Sequence, residues 1–285
     1  MPLQLDTRQR AMLLEMGVHV WLPGTDFGLH TSIDAAPSAA PAAAPASPRP
    51  ASLPPRVATP TAAAPARAPV PAPATGTAND LGQIHALSWA DLQQTAAHCQ
   101  ACGLCAGRTN STLTTLADHQ TAKWLIVGDP PDEDEDAAGH AFAGDAGVLL
   151  DNMLKAVGAA RASAEQSLAE GVDGALLVNV TACRPPQGRN PQAAELAQCA
   201  AYVQRQIALA QPRVILAMGR FATQLLLAEH SEALALPPGK QRGTVYRYRG
   251  IPVVVTYAPK ALLRNSPDKG KAWADLCLAM EAAQG

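Results

Sequence analysis

Three short apolar runs restrict this chain to one class of fold. Residues 124–128 (WLIVG), 175–180 (ALLVNV) and 213–218 (RVILAM) have strand character, and longer helix-like segments lie between them. Such alternation is what a parallel sheet covered by helices on both faces requires. A fourth run, residues 251–256 (IPVVVT), is preceded by residues 245–248 with Arg249-Gly250 between them, which reads as a hairpin. The sequence therefore predicts an α/β domain whose mostly parallel sheet carries one antiparallel ribbon. Asn190-Pro191 reads as the N-cap and first turn of a helix running to about Ala210, which Gln211-Pro212 closes. In such folds ligands bind at the carboxyl ends of the strands. The residues to examine are thus 128–132, 179–189, 219–221 and 257–264.

Only part of the chain can enter that domain. Residues 35–74 are almost entirely Ala and Pro with a few Ser, Thr and Arg, and they hold 12 of the 25 prolines among the 285 residues. Proline removes backbone donors and offers nothing to bury, so residues 35–78 are expected to form a disordered, polyproline-like linker. At ~3 Å per residue its stretched reach is about 100 Å. Residues 1–34 then form a short arm, and residues 79–285 a single domain long enough for a sizeable core. The start of the chain lacks the pattern of a signal peptide, and no window approaches the ~20 apolar residues of a membrane span, so a cytoplasmic protein is expected. The formal net charge of -2 gives no sign of a nucleic-acid partner.

Four of the six cysteines form a pattern. Cys99 and Cys102 make a CxxC in a loop-like stretch, Cys183 sits just past a strand, and Cys199 lies on the following helix. A zinc ribbon normally uses two CxxC knuckles. Four thiolates from separated elements also suit an iron-sulfur cubane, and buried thiols in a reducing compartment are common. Spacing alone leaves zinc, cluster and plain core open. Cys105 lies near enough to compete as a ligand, and Cys277 falls on an apolar face of the last helix.

The stretches CQACGLCAGRT, WLIVGDPPDEDEDAAGHAFAGDAGVLLDNML, VNVTACRPPQGRNP, RVILAMGRFA and RGIPVVVTYAPKALLR occur in that order, with Cys199 after the third. From Cys99 to about Trp273 the chain resembles the iron-sulfur uracil-DNA glycosylases of family 4. The resemblance implies a three-layer sandwich, DNA as partner, and a 4Fe-4S cluster on Cys99, Cys102, Cys183 and Cys199, leaving out Cys105. It also implies that a uracil is flipped out of the DNA into a pocket, which needs a stacking ring, a polar reader and a wedge. Phe142 matches the ring and Asn179 the reader, whose carboxamide can satisfy a carbonyl and the neighbouring ring N–H. Leu262, Leu263 and Arg264 match the loop that presses into the minor groove.

The departures from the family gather at the chemistry. Where the family has Gly-Glu-Ala-Pro-Gly, this chain has Gly128-Asp129-Pro130-Pro131-Asp132. Asp129 keeps a carboxylate on a shorter arm, and catalytic geometry tolerates displacements of about 1 Å poorly. Pro130 has no backbone N–H to offer a uracil oxygen. Asp132 puts a charge where the family has glycine. Where the family has His-Pro and a small residue, this chain has Ala258-Pro259-Lys260. The lost histidine corresponds to a stabiliser of the departing base, worth ~100- to 1000-fold in rate; Lys260 is a partial substitute on a flexible stem. His140, near Phe142, is expected to be an exposed loop residue. Impaired or lost glycosylase activity follows, with a working uracil-DNA glycosylase of base-excision repair as the alternative.

In the arm, Asp6 can cap a helix from Thr7 to Met16 that Gly17 ends. Leu13, Val20, Trp21 and Leu22 make it far more apolar than the linker, and so short a segment must dock to be ordered. Its sequence RQRAMLLEMGVHVWLP resembles the clamp-loader-binding peptide of the psi subunit of bacterial DNA polymerase III. That resemblance implies a replisome partner, with the linker acting as a tether.

Overall fold

The computed structural model describes residues 81–165 and 168–284. The arm with Leu13, Val20, Trp21 and Leu22, and all of the linker, lie outside the described residues. In chain order the elements are α1 (Leu81–Ile84), α2 (Trp89–Ala97), β1 (Trp124–Gly128), α3 (Glu133–Ala138), α4 (Gly144–Ala156), β2 (Ala159–Arg161), β3 (Asp173–Asn179), α5 (Ala193–Ala210), β4 (Val214–Met218), α6 (Arg220–Leu226), α7 (Ser231–Leu234), β5 (Val245–Tyr248), β6 (Ile251–Thr256), α8 (Pro259–Arg264) and α9 (Lys269–Ala282).

The six strands form one sheet in the order β2-β3-β1-β4-β6-β5. All neighbours are parallel except β5 and β6. The hairpin turn places Arg249 at φ 50° and Gly250 at φ 86°, as a tight turn between twisted strands demands. Strands β1, β3 and β4 are buried on both faces, which explains the apolar runs at their centres. Their side chains alternate between two cores. Leu125, Val127, Leu176, Val178 and Ile215 pack with α2, α5 and α6, while Trp124, Ile126, Leu177, Leu216 and Val254 pack with α4, α8 and α9. The result is the three-layer α/β arrangement with a mostly parallel sheet.

Two boundaries differ from the sequence expectation. Helix α5 begins at Ala193, with Gln192 rather than Asn190 as its N-cap. The cause is Glu195, which accepts from the Gln192 N–H at 2.7 Å and holds Arg189 through both carboxylate oxygens, so a capping box starts the helix two residues late. At the other end Gln211 adopts the left-handed conformation and Pro212 follows, as expected. The edge strand β2 has only three residues and carries no apolar run for a sequence reading to find.

Register fixes where the strands end. Gly128 lies opposite both Asn179 and Met218, and Met218 opposite Thr256. The carboxyl ends of β3, β1, β4 and β6 therefore form a level row. The connections leave β1 toward both sides of the sheet, so this row sits at the topological switch point where a crevice opens.

Candidate functional site

A cavity of about 400 Å³ stands above that row, lined among others by Asp129, Pro130, Phe142, Asn179, Tyr257 and Lys260. The sequence placed these residues at strand ends, and the structure brings them together around one space.

Asn179, the last residue of β3, is buried at 7% exposure. Its Nδ2 donates to the Asp129 carbonyl at 2.9 Å and to Glu135 Oε1 at 3.1 Å, while its Oδ1 has no partner. Both neighbours of the NH2 group are acceptors, so the amide orientation is dictated by the network. Asn179 lines the cavity, and its Oδ1 is left as a desolvated acceptor without a partner.

Phe142 stands at φ 54° in the loop before α4. Its N–H donates to Glu135 Oε1 at 2.6 Å and its carbonyl accepts from Arg161 Nη2 at 2.7 Å, so the backbone is held from both sides. The ring lies on Gly128: a Cβ there would stand 2.5 Å from the ring. Gly128 is thus a requirement of close approach, and the Phe142 ring forms part of the cavity wall.

Sequence reasoning missed Glu135, the residue that organises this wall. Asp132 caps α3 by accepting from the Glu135 N–H at 2.9 Å, and Glu135 Oε2 accepts from the Asp132 N–H at 2.9 Å. The buried carboxylate thereby holds Asp132, Phe142 and Asn179 at once. Burial pushes its carboxyl above the usual range, opposed by the Asn179 and Phe142 donors. The signal was present as Asp-x-x-Glu just after a strand, the pattern of a capping box.

Asp129 is occupied differently from a free base. Its Oδ1 accepts from the N–H groups of Phe221 at 2.7 Å and Ala222 at 3.3 Å, and its Oδ2 from that of Arg220 at 3.2 Å. The carboxylate covers the first turn of α6, whose donors have no helical partner. Burial raises its pKa while those three donors and the Arg220 charge pull it down. Gly219, at φ 114°, allows the approach, because a Cβ there would lie 2.3 Å from Asp129 Oδ2.

The two charged departures meet. Lys260, in the first turn of α8, forms an ion pair with Asp132, joining the loop after β1 to the loop after β6 at the cavity. Burial, then the Arg264 charge, lower the Lys260 pKa. Ala258 and Pro130 line the cavity without side-chain polar groups. His140 is exposed and lines a separate groove beside α4. In the third motif Leu262 is fully buried in the core, whereas Leu263 is 46% exposed and Arg264 exposed. Only the latter two are exposed, so Leu262, expected with them in the loop that presses into the minor groove, is a core residue instead.

A second, smaller cavity is lined by Cys99, Cys102, Cys105, Cys183 and Cys199, all free thiols. Cys277 lies elsewhere, half-buried against the α9 side of the core. Burial pushes the Cys183 thiol up to about 11 and the Cys199 thiol up to about 12, so neither ionises readily without a cation at the sulfur. Among the described residues no three His, Cys, Asp or Glu side chains gather closely enough for one metal ion. Thiols from separated elements that share one cavity suit a cluster, in which each sulfur meets its own iron. The donor set fits an iron-sulfur group.

Helix α3 ties the two cavities together. The buried Asp136 accepts from the N–H groups of Thr109 and Asn110, which follow the cysteine segment, while Asp132 and Glu135 of the same turn build the larger cavity.

Residues 116–277, more than half the chain, match the family described as the uracil DNA glycosylase superfamily. The chain belongs to that superfamily. Among similar proteins are the type-4 uracil-DNA glycosylases of Sulfurisphaera tokodaii, 32% identical over 59% of this chain and 72% of that one, and of Archaeoglobus fulgidus, 30% identical over 61% and 82%. That of Pyrobaculum aerophilum is 34% identical over 54% of this chain and 74% of its own. Type-4 enzymes thus recur among the proteins similar to this member of the uracil DNA glycosylase superfamily, and its own Asp132–Lys260 pair lines the cavity at the strand ends. No helix among the described residues is long and apolar enough to cross a membrane.

Proposed function

We propose that this protein binds DNA and reads a flipped uracil in the 400 Å³ cavity, with glycosylase activity impaired or lost. The observation that carries the reading is Asn179: a buried amide at the cavity whose NH2 group is committed to two acceptors, which leaves its Oδ1 as the unpartnered atom. Uracil presents an N–H at its third ring position, where cytosine presents an acceptor, so this orientation favours uracil. Phe142 supplies the stacking surface, and Leu263 with Arg264 supplies the exposed part of the wedge. The chemistry is weakened at three places. Asp129 spends its oxygens on α6, Pro130 has no N–H, and Ala258 carries no group to stabilise the departing base.

A uracil-release assay on single- and double-stranded oligonucleotides, run beside a binding assay, tests this. The expected result is uracil-dependent binding that Asn179→Ala removes, with slow or absent release. Robust turnover that collapses in Asn179→Ala refutes the loss of activity. It would favour the second reading, an active uracil-DNA glycosylase in which Lys260, held at the mouth by Asp132, supplies the missing positive charge.

A 4Fe-4S cluster on Cys99, Cys102, Cys183 and Cys199 belongs to the proposal, supported by the shared cavity and the soft donor set. When bound it cross-links the segment after α2, the end of β3 and α5. Six free thiols fit a reducing, cytoplasmic setting. The arm is proposed to engage a clamp-loader component through Leu13, Val20, Trp21 and Leu22, making the protein a replisome-tethered, psi-like subunit. A peptide of residues 1–25 is expected to bind such a component and to lose binding on Trp21→Ala.

A further inference from the structure

Arg108 makes contacts that the base-reading pocket does not use. Its Nη1 donates to the Ala96 carbonyl at 2.9 Å and to the Sγ of Cys183 at 3.3 Å, and its Nη2 donates to the Ala97 carbonyl at 2.6 Å. Ala96 and Ala97 close α2, immediately before the segment that delivers Cys99 and Cys102. Cys183 comes from beyond β3, 75 positions later in the chain. One half-buried side chain thus joins the two halves of the sulfur cavity. Its own backbone is pinned from behind, because the next two N–H groups, of Thr109 and Asn110, donate to the buried Asp136 carboxylate. Among the described residues no carboxylate is paired with Arg108, so its charge faces carbonyls and a thiol sulfur.

We propose that Arg108 positions and tunes the sulfur site: it clamps the Cys99–Cys102 segment to Cys183 and lends a positive charge to the Cys183 thiolate. This rests on the cluster reading above. A planar guanidinium can serve two carbonyls and a sulfur at fixed angles, whereas an ammonium on a flexible stem cannot hold all three. An N–H donated to a ligand sulfur draws electron density away from the iron it binds, and a fixed positive charge favours the more negative, reduced state. Arg108 therefore makes a bound cluster easier to reduce and harder to lose.

The test uses the full chain, isolated anaerobically and loaded with iron and sulfide, as wild type, Arg108→Gln and Arg108→Lys. Midpoint potential is read by a titration followed with electron paramagnetic resonance, and cluster retention by the rate of iron transfer to a chelator. Arg108→Gln is expected to shift the midpoint to more negative values and to lose iron several-fold faster. Arg108→Lys is expected to stay near the wild-type midpoint and still lose iron faster. An unmoved midpoint in a loaded Arg108→Gln protein overturns the tuning, and wild-type retention in Arg108→Lys overturns the clamp even if the Gln variant fails to fold. A wild-type chain that takes up no iron overturns the cluster reading and this inference together, an outcome distinct from either.

Discussion

Removing the Asp129 carboxylate separates a structural cap from a catalytic acid. Three backbone N–H groups at the start of α6 depend on its two oxygens, at 2.7, 3.2 and 3.3 Å. Losing a helix cap costs ~1–2 kcal/mol, and leaving a half-buried donor without an acceptor adds about 1 kcal/mol. Asp129→Ala is therefore expected to destabilise the domain by about 2–3 kcal/mol, which for about 200 residues lowers Tm by about 4–12 °C. Asp129→Asn keeps one acceptor oxygen for Phe221 and turns its NH2 toward the Arg220 N–H, so about 1 kcal/mol and about 2–4 °C are lost. Calorimetric unfolding of the three proteins measures this, and the uracil-oligonucleotide affinity of each folded protein is measured beside it. The cap predicts graded Tm values with affinity nearly unchanged. An Asp129→Ala protein with wild-type Tm refutes the cap. An Asp129→Asn protein of wild-type Tm that loses all residual uracil release restores Asp129 as a catalytic acid or base.

Gly128→Ala places a methyl 2.5 Å from the Phe142 ring, so the ring must move; an overpacking loss of ~1–3 kcal/mol is expected in thermal unfolding, with uracil-dependent binding reduced at least ~10-fold. A variant that binds as wild type removes Phe142 from the reading surface. Ala258→His returns a donor to the cavity wall and is expected to raise uracil release ~100-fold or more in single-turnover assays, if the missing histidine is what limits the chemistry. No gain in a folded variant shifts the deficit to Asp129 and Pro130.

The centre of the sheet was legible because β1, β3 and β4 are buried on both faces and are dominated by apolar side chains. Once they were placed, the switch-point rule located the cavity without reference to any single side chain. What stayed hidden was the fate of the acidic run after β1. Glu133, Asp134, Glu135 and Asp136 are chemically alike in sequence, yet Glu135 and Asp136 are buried at 6% and 3% exposure while the first two are exposed. Burial of a carboxylate is decided by distant donors, here Asn179 for Glu135 and Thr109 for Asp136, which no local window contains. The same limit hid the role of Asp129, whose partners begin 91 residues later. Leu262 and Leu263 differ for a further reason: adjacent positions on a helix point about 100° apart around its axis, and only packing against α4 decides which is core.

Asp132 and Lys260 make sense only as a pair. Taken singly, each sets an uncompensated charge at the edge of a partly desolvated cavity. Together they neutralise one another and bridge two loops that the sheet already brings close. Because Lys260 is 47% and Asp132 28% exposed, the pair is worth no more than ~1 kcal/mol and is weakened by salt. Such a bond can open when a phosphate arrives to compete for the ammonium, whereas the capping box between Asp132 and Glu135 does not depend on Lys260 and stays closed. Asn179 and Phe142, which hang from Glu135, thus keep their positions whether the mouth is bridged or open. The bonds that hold Asn179 and Phe142 are separate from the one that bridges the two loops, and in the proposed function that division lets DNA displace Lys260 without disturbing the residues that identify the base.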